Sequence, residues 1–145
     1  MTMGAVMPAR RLLAIMLILA VAGCSVVNPT SPAEQASMDA ITTQIQHTLE
    51  QRPDVASADV SYQNSLDASA RADATMQVKA GVAIAPVLDD AERLIWLSHL
   101  GPLSSINVSA NDITNPQRGE IRNLNLLDPA TKQDLQSRYG PRPVK

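Results

Sequence analysis

Phenylalanine is missing from the 145 residues, and the aromatic side chains are one tryptophan, Trp96, and two tyrosines, Tyr62 and Tyr139. Without large rings the core must be assembled from Ala, Val, Ile, Leu and Met, which makes for a thin core in a small domain. Cysteine occurs once, at Cys24, so no disulfide can form within the chain and packing alone must hold its body together. Charge of one sign is also lacking: 12 Lys and Arg against 14 Asp and Glu give a net −2, with no basic run and no interleaved aromatics. That balance argues against nucleic acid as a partner, since a phosphate backbone calls for a positive footprint. The apolar run LLAIMLILAV, residues 12–21, falls short of the ~20 residues that span a bilayer.

That run has a telling context. Arg10 and Arg11 precede it with no acidic residue, and small residues follow it. A basic start, a short apolar stretch and a small-residue end describe a secretory signal peptide over residues 1–23. It closes on Val21-Ala22-Gly23-Cys24, which resembles the lipobox of bacterial lipoproteins. The resemblance implies cleavage between Gly23 and Cys24, a diacylglyceryl group on the Cys24 thiol and acylation of the new amine, often with palmitate. The residue type suits the chemistry, because a thiolate is the nucleophile that forms the thioether. More than one acyl chain matters, because a single chain holds a protein at a membrane only marginally.

On that reading the mature chain sits in the cell envelope, on the extracytoplasmic side of a bacterial membrane. Ser25 follows the cysteine, and a residue other than aspartate there favours the outer membrane in a diderm envelope. Loss of Arg10 and Arg11 leaves 10 basic against 14 acidic residues, so the lipid on Cys24, not surface charge, would supply the membrane contact.

Residues 24–36 read as a lipidated tether and residues 37–111 as a small α+β domain. Helix signals begin within the tether: Ser31 as N-cap, Pro32 at the first position and Glu34 at capping-box spacing, with Ser37 as the other candidate start. Met38, Ile41, Ile45 and Leu49 form one apolar stripe, and Pro53 ends the helix. ADVSYQ and RADATMQVK each alternate with period two and are joined by the polar NSLDAS, which predicts a hairpin with one wet face. A second helix opens at Pro86 and closes at Gly101-Pro102, with Asp89, Asp90 and Glu92 as acids near its positive end. SINVSA then predicts a third strand, with Ile106, Val108 and Ala110 inward.

The expected fold is therefore αββαβ, two helices on one face of a three-stranded mixed sheet. Residues 112–145 read as a C-terminal extension: a turn at NPQRG, an edge strand at EIRNLNLLD, and a short helix capped by Asp128 and Pro129 and stopped by Gly140-Pro141. Residues 142–145 read as a frayed tail. The element order over residues 38–111 resembles the BON domain of bacterial envelope proteins, which implies contact with phospholipid or with envelope proteins.

No phosphate loop, nucleophile elbow or CxxC is present. His47 and His99 fall one on each helix and read as solvated side chains, and Asp89, Asp90 and Glu92 as helix-start acids. No catalytic residue, metal or cofactor is expected. One feature stands apart. At 100° per residue the core side of the second helix is Val87, Leu88, Ala91, Leu94, Ile95 and Ser98, which leaves Trp96, Leu97 and Leu100 on the far side. Either the C-terminal segment, through Leu124, Leu126 and Leu127, folds back over this ridge, or the ridge docks a partner. The functional expectation is a non-enzymatic protein-binding or assembly factor with an envelope protein as partner. The alternative is a phospholipid-contacting, BON-like module.

Overall fold

The computed structural model describes residues 31–65 and 68–144; the expected signal peptide, Gly23, Cys24 and most of the expected tether lie outside them. Its elements run α1 (Pro32–Glu50), β1 (Val55–Ser65), β2 (Ala68–Val78), α2 (Ala85–Trp96), β3 (Ser105–Asp112), β4 (Asn115–Asn125) and α3 (Pro129–Tyr139). The class is α+β. Four strands lie in the order β1-β2-β3-β4, with β1 and β2 antiparallel, β2 and β3 parallel, and β3 and β4 antiparallel.

The first helix starts where the capping chemistry is best. The Ser31 hydroxyl accepts from the Glu34 N–H, and the Glu34 carboxylate accepts from the Ser31 N–H at 2.9 Å, a reciprocal capping box. Residues 31–36 thus belong to the folded body and not to the tether. Met38, Thr42, Ile45 and Leu49 are buried, with Ile41 half-buried beside them. Leu49 is fully enclosed, so Leu49→Ala would cost about 2–5 kcal/mol.

Period two holds along the hairpin. Ala58, Val60 and Tyr62 of β1 and Ala72, Ala74, Met76 and Val78 of β2 enter the core, and the residues between them are exposed or half-buried. On the uncovered face, in register, Asp73 sits between Ser61 and Asn107, and its carboxylate accepts from the Asn107 amide at 2.8 Å. This is the wet face that the alternation predicts.

Two expectations change here. The sheet has four strands, because the chain after Asp112 turns at once and returns as β4, and NPQRG lies within that strand. The turn carries no Asn-Gly or Pro-Gly signal. The Asp112 carboxylate builds it by accepting from the Thr114 N–H at 2.8 Å and the Thr114 hydroxyl at 2.7 Å. Pro116 is tolerated on an edge strand, where a missing N–H costs little. Gly119 is there for space: a Cβ would fall 3.2 Å from the Ala110 carbonyl oxygen.

The C-terminal residues are also no appendage. Leu126 and Leu135 are among the most enclosed side chains, and both belong to the same core cluster as Leu49 and Ile106. They supply apolar volume that an aromatic-poor core would otherwise lack. The α3 helix forms as its signals predict: the Asp128 carboxylate accepts from the N–H groups of Ala130 and Thr131, and Gly140 caps the end at φ 87°.

Candidate functional site

The ridge predicted on α2 does not exist as a free surface. Trp96 is 5% exposed and Leu100 1%, and the Trp96 indole N–H donates to the Gly140 carbonyl oxygen at 2.9 Å. Helical projection fails for a plain reason: the helix ends at Trp96, with Leu97 as its C-cap, so Leu100 is not on a helix at all. Beyond the end, the Ser98 hydroxyl donates to the Ile95 carbonyl and accepts from the Leu100 N–H, turning the chain inward. Of the three expected docking residues, the largely buried Leu100 borders one cavity and the half-buried Leu97 another.

The cavity at Leu97 is a groove of about 250 Å³ between α1 and α2. Ile41, Ile45, Leu94 and Leu97 supply its apolar lining, and Gln44 and Thr48 add uncharged polar groups. His99 lines this groove and also a second cavity of about 410 Å³, which Leu100, Pro102, Leu103, Arg142 and Val144 help to enclose. His47 lies elsewhere, exposed on α1 with its ring nitrogen 3.1 Å from the Gln51 amide. Among the described residues, no three of His, Cys, Asp and Glu come together in a way that could hold a metal ion.

Of the three acids of α2, Asp89 is exposed, Asp90 half-buried and Glu92 enclosed. Glu92 is 1% exposed and accepts from Arg122 of β4 at 3.1 Å, from Arg138 of α3 at 3.1 Å and from the Tyr139 hydroxyl at 3.2 Å. Asp89 also takes Arg122, at 2.6 Å, and Asp90 takes Arg52 of the α1–β1 turn at 2.9 Å. Burial, reinforced by the Glu92 charge, pushes the Tyr139 hydroxyl up to about 12. The sequence did carry a signal: Glu92 stands four residues after Leu88 and three before Ile95, on the buried side of the helix. This network fastens β4 and α3 onto α2.

A second carboxylate organises the far end of the sheet. Asp112, 3% exposed, accepts from the Gly81 N–H at 3.1 Å and from Arg118 at 3.3 Å as well as from Thr114. The Thr114 hydroxyl first, then the backbone N–H donors, hold its pKa down at about 2.

The residue that sequence reasoning missed is Arg142. It was expected in a frayed tail, yet its guanidinium donates to the Leu100 carbonyl oxygen and lies over the Trp96 ring, 5.8 Å from the ring centroid. Arginine after a Gly-Pro helix stop gives no sequence signal for such a placement.

No protein-family model and no curated protein matches this chain. Among the described residues, no helix is long and apolar enough to cross a membrane.

Proposed function

We propose that this chain is a lipid-anchored protein of the bacterial cell envelope that works by docking another protein, with no chemistry of its own. The lipobox Val21-Ala22-Gly23-Cys24 supports the anchoring. The groove between α1 and α2 supports the docking and carries the reading. Its lining of Ile41, Ile45, Leu94 and Leu97 is apolar, and its other contributors, Gln44, Thr48, Ser98 and His99, are polar. An apolar centre with an uncharged, hydrogen-bonding margin is the make-up of a protein interface core and rim. The occupant is a partner protein that inserts an apolar anchor side chain between the helices.

The test is photo-crosslinking from position 97 with the full chain in its native membrane. A discrete protein adduct, lost when Ile41→Asp puts a charge into the groove, is the expected result. Adducts to lipid alone would favour the phospholipid-contacting alternative. Crosslinks confined to the chain itself would overturn both.

A further inference from the structure

Seven arginines fall among the described residues, and six of them, Arg52, Arg71, Arg93, Arg118, Arg122 and Arg138, pair with carboxylates. Arg142 is the exception. Among the described residues it donates to a neutral carbonyl, that of Leu100, lies over the face of Trp96 and interacts electrostatically with the Tyr62 phenol, none of them a carboxylate. A guanidinium has five N–H donors and cannot shed its charge, so a half-buried one without an anion is a costly arrangement. Burial lowers its pKa accordingly.

The surroundings explain what such a cation could serve. Arg142 lines the 410 Å³ cavity, whose other walls include Leu100, Pro102, Leu103 and Val144, with His99 as the second polar group. Exposed Val144 stands beside this cavity at 90% accessibility, so the mouth is apolar as well. The chain as a whole is negative, so anions are not drawn to it generally and any attraction must be local to Arg142. The volume lies toward the low end of the ~300–1,000 Å³ of small-molecule sites, too little for a two-chain lipid.

We propose that this cavity binds a small apolar carboxylate, of the medium-chain fatty acid class, with Arg142 taking the carboxylate and Leu100, Leu103 and Val144 the hydrocarbon. A carboxylate matches the planar fork of the guanidinium with two parallel hydrogen bonds, which an alcohol cannot do. The site is separate from the α1–α2 groove and stands whether or not that groove docks a partner.

Trp96, the only tryptophan, lies beneath Arg142 and reports occupancy. The experiment titrates octanoate, octanol and acetate at neutral pH against the full chain held in phosphatidylcholine vesicles, reading Trp96 emission. Octanoate should give a saturable change at a concentration at least about tenfold below that for octanol or acetate. Arg142→Gln should weaken octanoate at least about tenfold and leave octanol unaltered. Val144→Asp, at an exposed position, supplies a competing carboxylate and should weaken octanoate even if the glutamine variant fails to fold. Equal responses to octanoate and octanol would overturn the proposal. So would acetate matching octanoate, which would mean an anion site with no apolar component, or an octanoate affinity that both variants leave intact.

Discussion

The indole N–H of Trp96 and the carbonyl oxygen of Gly140 meet at 2.9 Å across 44 positions of sequence, closing the C-terminal segment over the end of α2. Trp96→Phe keeps most of the apolar volume and removes only the donor. The variant should lose about 1 kcal/mol, the usual net worth of one hydrogen bond plus the cost of the bare acceptor. Urea denaturation gives the value, and limited proteolysis should show earlier cleavage after residue 138. An unchanged cleavage pattern would mean that Arg142 and Leu100 suffice to hold the segment.

Glu92 is the shared acceptor of Arg122, Arg138 and Tyr139. Glu92→Ala removes the one buried acceptor that the two arginines share, leaving Arg122 with Asp89 and Glu120 and Arg138 with Asp134. Both arginines keep partial access to water, so the loss should be about 3 kcal/mol, the low end for a broken buried pair. For a domain with a total stability of ~5–15 kcal/mol that is a large fraction. Glu92→Gln retains acceptor capacity and should cost less. The midpoint of chemical unfolding distinguishes them, and equal effects of the two variants would show that the charge, lost in both, accounts for the whole effect and the neutral acceptor for none of it.

Acid should weaken the fold from the Asp112 end. Its folded pKa, about 2, lies below the ordinary carboxylate value of ~3.9, so its stabilisation is full above that value and is lost as pH falls from about 4 toward 2. Asp54, Asp90 and Asp128 are shifted in the same direction by their hydrogen-bond partners and add to the trend. Asp112→Asn should melt below the parent at neutral pH, with the gap narrowing across that acid window. Melting temperature against pH for both proteins is the measurement; a gap that stays constant down to pH 2 would contradict it.

Anchoring has its own test at Cys24, which lies outside the described residues. Cys24→Ala should leave an uncleaved or unlipidated chain that releases from membranes on carbonate washing, where the parent stays bound. Retention of the variant through that wash would place the attachment elsewhere.

The elements that local chemistry dictates were legible in the sequence. Ser31, Pro32 and Glu34 announce the start of α1, Asp128 and Pro129 the start of α3, and the alternation around Val60 and Ala74 the hairpin and its wet face. What failed were places where a distant partner decides. The turn before β4 depends on Asp112 and Thr114, which read as ordinary polar residues, while the more turn-like Asn-Pro and Gly119 are absorbed into an edge strand. The far side of α2 stayed open between a C-terminal cover and a bare ridge, because projection treats a helix as having one core side. Here β4 and α3 cover a second side, which lets Glu92 and Trp96 be buried together. Of the site residues, Leu97 meets a cavity although it is the cap rather than part of the helix, and Arg142 had no local signal at all.

The late position of Leu126, Leu135 and Arg138 in the chain has a consequence for biosynthesis. Trp96 has no lid until Gly140 is in place, and Glu92, already served by Arg122, lacks its second counter-ion until Arg138 is made. Contacts that close this late leave α2 without its full cover while the chain is being made.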